Sequence, residues 1–106
     1  MSVKTVEVDE LNALMIAGKV DIVYDVRESN EYQMVRVPQA KNLPLSSFSP
    51  EQVEEPKNRA IYLICHSGQR SLTAAVALES AGYTEVYNVV GGTAAWEHAG
   101  YETAFG

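Results

Sequence analysis

Hydrophobic and polar positions follow the periods of strands and helices along most of this chain. Alternating or apolar runs rich in strand-forming residues predict five strands, at residues 3–8, 21–26, 40–43, 60–65 and 86–90. Helices are predicted at residues 10–17, 70–81 and 93–99, with one or two loose helical turns over 27–34. Residues 45–59 hold two prolines and several acidic residues, and they predict a loop with one helical turn near Glu51.

Particular residues mark the ends of these elements. Asp9 is predicted to cap the first helix, and Gly18 to end it. The helix over 70–81 is rich in alanine and apolar almost all round, which predicts that it lies against the sheet and between neighbours. Gly91 and Gly92 predict a tight turn from the last strand into the last helix.

The strand at 60–65 is apolar without alternation, as in a strand that is buried on both faces of a parallel sheet. Strands that alternate with helices favour an α/β fold with a mainly parallel sheet. Ligands of such sheets bind beyond the carboxyl ends of the strands. Three segments lie at such ends: Asp25-Val26-Arg27, Cys65 with the loop after it, and Gly91-Gly92. We therefore expect these segments to share one rim of the sheet.

Composition narrows the classes of function. The chain has 106 residues, 46% of them hydrophobic, which is typical of one globular domain. Eight Lys and Arg against 14 Asp and Glu give a net charge of −6, and without a basic cluster this disfavours a nucleic-acid partner. No stretch approaches the ~20 apolar residues of a membrane span, and no signal peptide is visible. A reduced, cytoplasmic location is the expectation.

Metal and disulfide chemistry are also disfavoured. One cysteine cannot form an internal disulfide, and no Cys-x-x-Cys pair exists for dithiol chemistry or a zinc ribbon. The cysteine and the two histidines do not have the spacing of metal ligands. We therefore expect no metal site.

Cys65 ends a predicted buried strand and opens a turn into a helix. Backbone N–H groups of residues 66–71 can point back at one spot there, and the positive end of the helix adds to their effect. Both favour a thiolate over a thiol. Gly68 permits the backbone conformation that such a cradle needs, Arg70 adds a cation, and Ser71 could cap the helix or donate to the sulfur. An inert core cysteine is the alternative, which the glycine, the arginine and the strand-end position disfavour.

Four ordered motifs resemble those of the rhodanese-type sulfurtransferases. The segment Cys65-His66-Ser67-Gly68-Gln69-Arg70-Ser71 resembles their C-x-x-G-x-R-[ST] active-site loop. The D-V-R-x-x-x-E-[YF] segment is matched by Asp25-Val26-Arg27 with Glu31-Tyr32, and the closing G-G-x-x-x-W-x-x-x-G by Gly91-Gly92, Trp96 and Gly100. Part of the middle segment is matched by Pro38, Ala40, Asn42 and Pro44. The resemblance spans essentially the whole chain, so residues 1–106 are expected to form a single rhodanese domain.

The resemblance implies a three-layer α/β fold, with helices on both faces of a five-stranded, mainly parallel sheet. It implies that Cys65 takes the outer sulfur of a donor such as thiosulfate or a protein persulfide. The sulfur would then pass to an acceptor such as cyanide or a thiol. Arg70 would help to hold the loop and the anionic donor, and the rest of the loop would bind the sulfur: His66, Ser67, Gly68, Gln69 and Ser71. No cofactor is implied.

The length of the loop between the cysteine and the arginine distinguishes the resembled sulfurtransferases from related phosphatases. Four residues separate Cys65 from Arg70, as in the sulfurtransferases, whereas related phosphatases have five. His66 and Ser67 stand where many members carry Arg or Lys, and a neutral imidazole would attract thiosulfate less. Residues 35–40 depart from the frequent G-H-I-P-G-A, which leaves the conformation of this turn open and removes no catalytic group.

The charged neighbours of the loop have structural interpretations. A free Asp25 carboxylate would oppose a thiolate, so we expect it to pair with Arg27, with Arg70 or with N–H groups of the loop. Arg27 and Glu31 are four residues apart and could pair on one helical face. Asp25 and Arg27 are therefore predicted to support the rim rather than to react.

Two alternatives to a sulfurtransferase stay open. One is a catalytically weak, rhodanese-like module that binds a partner or senses a signal, and the other is a phosphatase or arsenate-reducing relative. A Cys–His hydrolase through His66 is disfavoured, because sequence neighbours at a turn usually point apart. Trp96 is predicted to lie in the core and His98 on the surface.

Overall fold

The computed structural model describes residues 3–106. Its strands are β1 Lys4–Glu7, β2 Val23–Asp25, β3 Ala40–Asn42, β4 Ile61–Ile64 and β5 Val86–Val90. Its α-helices are α1 Val8–Ile16, α2 Ser29–Met34, α3 Gln69–Ser80 and α4 Gly92–His98. Two short 3₁₀ helices, Leu45–Ser47 and Pro50–Gln52, lie between β3 and β4, where the sequence predicts a single turn.

The strands form one parallel sheet in the order β1-β5-β4-β2-β3. Alternate side chains of β4 enter two separate cores, which lie on opposite faces of the sheet. Leu63 and then Cys65 pack with Leu78 of α3, whereas Ile64 packs with Leu11 of α1 and with α4. The predicted three-layer α/β fold with a five-stranded, parallel sheet is confirmed.

The first helix begins earlier than predicted. α1 starts at Val8, and Glu7 occupies the capping position without a side-chain hydrogen bond, so the prediction of Asp9 as the cap was wrong. Val8 is buried, because β1 leads directly into the helix and its first position packs in the core. Asp9 instead lies in the first turn, where a carboxylate interacts favourably with the helix dipole.

α3 is covered on one side only. Ala74, Ala75 and Leu78 are buried against the sheet, whereas Leu72 and Val76 are 45% and 49% exposed. The prediction that this helix lies between neighbours was wrong for its outer face, since no element of residues 3–106 covers these two side chains.

The turn at residues 35–40 contains a left-handed backbone conformation, which glycine usually adopts, at a residue that is not glycine. Gln39 has a φ of +78°, in the left-handed region, at a position where the resembled pattern carries glycine. The Gln39 side chain donates a hydrogen bond to the carbonyl of Val20 at 2.8 Å. This bond ties the turn to the segment before β2.

Trp96 and His98 lie where the sequence predicts them, in the core and on the surface. The Trp96 ring packs edge-on against Tyr101, and its Nε1 donates to the carbonyl of Glu102 at 2.7 Å. Within residues 3–106, no helix has the length and apolar character needed to span a membrane. That same part of the chain contains no cluster of His, Cys, Asp and Glu that could hold a metal ion.

Candidate active site

Three strands of the parallel sheet end at one rim, as predicted. Asp25 is the last residue of β2, Cys65 follows β4, and Gly91 follows β5. The N–H of Thr93 donates to the carbonyl of Cys65 at 2.8 Å, and that of Ala94 donates to the carbonyl of His66 at 3.0 Å. The start of α4 therefore holds the first two residues of the cysteine loop.

Gly92 permits this close approach of α4 to the loop. Its φ is +58°, and a Cβ at this position would lie 2.3 Å from the carbonyl oxygen of Cys65 and 2.5 Å from that of His66. Both atoms belong to the backbone and cannot rotate away. Only glycine therefore fits at position 92. The Gly91-Gly92 pair, which was predicted to make a tight turn, thus also fixes the position of the cysteine loop.

The Cys65 sulfur lies at the bottom of a cradle of hydrogen-bond donors. The residue is 1% exposed, the N–H of Gly68 donates to Sγ at 3.1 Å, and Ser71 Oγ lies 3.3 Å from Sγ. Gly68 has a φ of +112°, which explains why the loop carries glycine here. Of the two roles predicted for Ser71, the first is wrong, since Gly68 and not Ser71 occupies the capping position of α3, and Ser71 Oγ instead lies within hydrogen-bond distance of the sulfur.

These contacts set the ionisation of the thiol. Burial raises the pKa of Cys65, but the Ser71 hydroxyl and the N–H groups of Ser71, Gly68 and Ser67 act in the opposite direction and leave it below its usual value. Hydrogen bonds from neutral donors stabilise the charged form in a site that water barely reaches. A lowered pKa is the property that a nucleophilic cysteine needs.

Asn88 is a part of the cradle that sequence reasoning missed. It is buried in β5, where its Nδ2 donates to the carbonyl of Gly68 at 3.0 Å and its Oδ1 lies 2.5 Å from Ser71 Oγ. Asn88 thus holds both the loop glycine and the serine. A signal was available, because Asn88 is a single polar residue in an otherwise apolar strand core.

The outer part of the loop faces solvent. His66, Ser67 and Gln69 are exposed, in contrast to the buried Gly68 and Ser71. The predicted loop residues therefore divide into an inner group around the sulfur and an outer group that is exposed to solvent.

Arg70 is held by a carboxylate of α2. Its Nη1 and Nη2 donate to the two oxygens of Glu31 at 2.8 Å and 3.0 Å. The Arg70–Glu31 interaction is therefore bidentate. The hydrogen bond from Arg70 lowers the pKa of Glu31 to about 2, and the same bond raises the pKa of Arg70. The pair joins the cysteine loop to α2, and the predicted pairing of Arg27 with Glu31 was wrong.

Arg27 pairs with Asp25 instead, one of the partners predicted for that carboxylate. Its Nη2 donates to Asp25 Oδ2 at 2.8 Å and to the carbonyl of Val35 at 2.6 Å, and both charged side chains are almost fully buried. Arg27 precedes α2, so the helical spacing that would bring it to Glu31 does not apply. The Asp25–Arg27 pair thus leaves no uncompensated charge buried at the end of β2.

Two surface cavities lie away from the sulfur. One of about 370 Å³ is lined by Pro50, Glu51, Val53, Lys57, Ala81 and Tyr83. Another of about 200 Å³ is lined by Asn12, Met15, Ile16, Pro38, Gln39, Trp96 and Glu102. Neither is lined by a residue of the loop 65–71.

Comparison with known proteins agrees with the geometry. Residues 7–99 match the model of the family described as Rhodanese-like domain, and the chain belongs to this family.

Its relatives include proteins named for sulfur transfer. The chain is 39% identical over 74 residues to the Putative sulfur carrier protein YrkF of Bacillus subtilis, covering 70% of this chain and 40% of that protein. It is 32% identical to the Thiosulfate sulfurtransferase GlpE of Pseudoalteromonas translucida, over 81% and 83% of the two chains. A crystal structure of a rhodanese-like domain protein from Staphylococcus aureus is 33% identical, with a TM-score of 0.79 over 88% of this chain and 90% of that one. Several curated relatives are much longer, and the chain spans 23% to 57% of their length.

Proposed function

We propose that this protein is a sulfurtransferase that carries sulfane sulfur on Cys65 as a persulfide. The sulfur donor is either a small molecule such as thiosulfate or the persulfide of another protein, and the acceptor is a thiol or cyanide. The observation that carries the proposal is the cradle, in which Gly68 and Ser71 contact a buried sulfur whose pKa is lowered. Membership of the rhodanese-like family supports the same class of chemistry.

Sulfur loading begins with the thiolate. The Cys65 sulfur attacks the outer sulfur of the donor, a new S–S bond forms, and the bond between the outer sulfur and the rest of the donor breaks. With thiosulfate, the electron pair of that bond leaves with sulfite. The terminal sulfur of the persulfide then carries the charge, and we assign its stabilisation to the same N–H groups of Ser67, Gly68 and Ser71 that stabilise the thiolate.

Unloading reverses the roles. An acceptor thiolate or cyanide attacks the outer sulfur, and Cys65 leaves as a thiolate. The lowered pKa of Cys65 makes it a better leaving group, since thiols of lower pKa leave faster. In this scheme Arg70 acts through Glu31 to hold the loop, and Asp25 with Arg27 orders the rim at the end of β2.

Intact mass spectrometry after incubation with a donor tests the proposal. The wild-type protein should gain the mass of one sulfur atom and lose it on addition of cyanide or a reductant. Cys65→Ser is the control and should gain none. Loading of Cys65→Ser to the same extent, or no gain in the wild type with either thiosulfate or a protein persulfide, would contradict the proposal.

A partner-binding or sensing module is the second candidate. The exposed apolar side chains of Leu72 and Val76, on the helix that follows the loop, favour it. A wild-type protein that never becomes persulfidated would support this alternative. Hydrolysis of an aryl phosphate would instead support the phosphatase relative, which the four-residue spacing between Cys65 and Arg70 disfavours.

A further inference from the structure

The cationic side chains of the rim are already paired. The segments 25–31, 65–71 and 88–93 contribute two arginines and no lysine. Arg70 donates to both oxygens of Glu31, and Arg27 is bound to Asp25 in a buried pair. Both guanidinium groups of these segments already have a carboxylate partner, so neither offers an uncompensated positive charge to an anion at the mouth.

We propose that the site selects persulfides of organic thiols, R–S–SH, over the thiosulfate dianion, and that Glu31 sets this preference by neutralising Arg70. This inference rests on the proposed function, because it concerns the donor of the same Cys65 sulfur. Glu31 is a specificity-determining residue in this scheme. It does not touch the reacting atoms.

The charges that must meet during loading support the inference. A thiolate and thiosulfate bring three negative charges together, whereas a thiolate and a protonated persulfide bring one. The positive end of α3 offers about half a charge, and the other donors around Cys65 are neutral. The chain as a whole carries −6, so its overall field also opposes a dianion.

The step balances without an added oxidant or reductant. The Cys65 thiolate attacks the outer sulfur of R–S–SH, the new bond forms, and the R–S bond to the outer sulfur breaks. The electron pair leaves with R–S⁻, which takes a proton from solvent. Cys65 is oxidised to the persulfide as the donor is reduced to the thiol.

Rates of loading from two donors test the inference. Hydroxyethyl persulfide, which carries no carboxylate, is compared with thiosulfate, and persulfidation of Cys65 is followed by intact mass over time. The wild type should load faster from the persulfide. Glu31→Gln frees the charge of Arg70 and also weakens the link between the loop and α2, so the decisive quantity is the ratio of the two rate constants, which should shift toward thiosulfate by about tenfold.

Two further variants separate charge from structure. Ser67→Lys adds a cation to the exposed side of the loop and keeps the Glu31–Arg70 pair, so it should also favour thiosulfate even if Glu31→Gln loses its fold. Glu97→Gln makes the same change in net charge on the exposed surface of α4 and should leave the ratio of the two rates unchanged.

Two results would overturn the inference and leave sulfur transfer intact. One is faster loading of the wild type from thiosulfate, and the other is an unchanged ratio in a folded Glu31→Gln or, if that variant does not fold, in Ser67→Lys. Failure of the wild type to load from either donor would overturn the proposed function, and the inference with it.

Discussion

Ser71 has one hydroxyl hydrogen and two acceptors within reach, the Cys65 sulfur at 3.3 Å and Asn88 Oδ1 at 2.5 Å. A thiolate is a stronger acceptor than a thiol, so ionisation of Cys65 draws this hydrogen toward the sulfur. The Ser71 hydroxyl therefore stabilises the thiolate of Cys65 when that charge is present, and it donates to Asn88 Oδ1 when Cys65 is a thiol.

Replacing Ser71 tests this role. In Ser71→Ala the hydroxyl is lost, so the pKa of Cys65 should rise and the thiolate fraction at neutral pH should fall. The rate of alkylation by iodoacetamide against pH measures the midpoint. Ser80→Ala, at the exposed far end of α3, is the control, and a midpoint equal in both variants would contradict the role of Ser71.

Gly92 and Gly100 allow a matched comparison at two glycines of positive φ. A Cβ at Gly92 would meet the Cys65 and His66 backbone, whereas nothing lies within 4 Å of a Cβ at Gly100. Gly100→Ala should cost only the backbone strain, about 1–3 kcal/mol. Gly92→Ala should lower the free energy of unfolding further and slow sulfur loading, as measured by urea unfolding and intact mass. Equal losses in the two variants would contradict the clash.

Between elements, two ion pairs with different surroundings connect the rim. The Asp25–Arg27 pair at the end of β2 is buried, whereas Arg70 and Glu31 join α3 to α2 with about a third of each side chain exposed. Loss of one partner should lower the free energy of unfolding much more in the buried pair than in the exposed pair, because the remaining buried charge has no counter-charge.

Asp25→Asn should lower the free energy of unfolding by about 3–5 kcal/mol, because it leaves Arg27 buried without a counter-charge. Urea unfolding measures the change, and Asp21→Asn at an exposed aspartate is the control. In molecules that remain folded, sulfur loading should fall less than in Arg70→Ala, which releases the loop from α2. The reverse order of the two loading defects would refute the assigned roles.

The Arg70–Glu31 pair predicts how stability depends on pH. The pKa of Glu31 is about 2 in the folded protein, below its ordinary value of 4.5, so the pair stabilises the fold above that ordinary value. This stabilisation is lost as the pH falls from about 4.5 to about 2. The difference in unfolding free energy between the wild type and Glu31→Gln should shrink over that range. A difference that is independent of pH would show that the carboxylate charge does not contribute.

Elements that depend on local patterns were predictable. The five strands, the parallel sheet and the position of Cys65 at a strand end follow from apolar runs, and those runs also fix where the loop begins. Gly68 and Gly92 were recognised as turn residues because only a few backbone conformations demand glycine.

Contacts between distant segments were not predictable. Glu31 and Arg70 are 39 residues apart, and Asn88 reaches the loop from a neighbouring strand, so neither contact leaves a spacing in the sequence. The start of α1 was missed for a related reason, because burial of Val8 outweighs the capping preference of Asp9. Likewise, no local pattern shows which face of α3 lacks a cover.

Across the whole molecule, the net charge of −6 predicts a salt effect on loading. Added salt screens the repulsion between the protein and a dianion, so the rate from thiosulfate should rise with ionic strength. The rate from hydroxyethyl persulfide should change little. Stopped reactions over a series of NaCl concentrations measure both rates, and slower thiosulfate loading at high salt would reveal an attractive field at the mouth.

The central place of β4 in the sheet has a consequence for hydrogen exchange. Its residues are buried, it has β5 and β2 as neighbours, and Cys65 lies directly after its last residue. Amide protons of such a strand exchange only when the molecule opens globally, whereas edge strands such as β1 and β3 open more readily. Partial opening at the edges of the sheet thus leaves the Cys65 cradle in place, and the proposed capacity to carry sulfur should persist until the fold itself is lost.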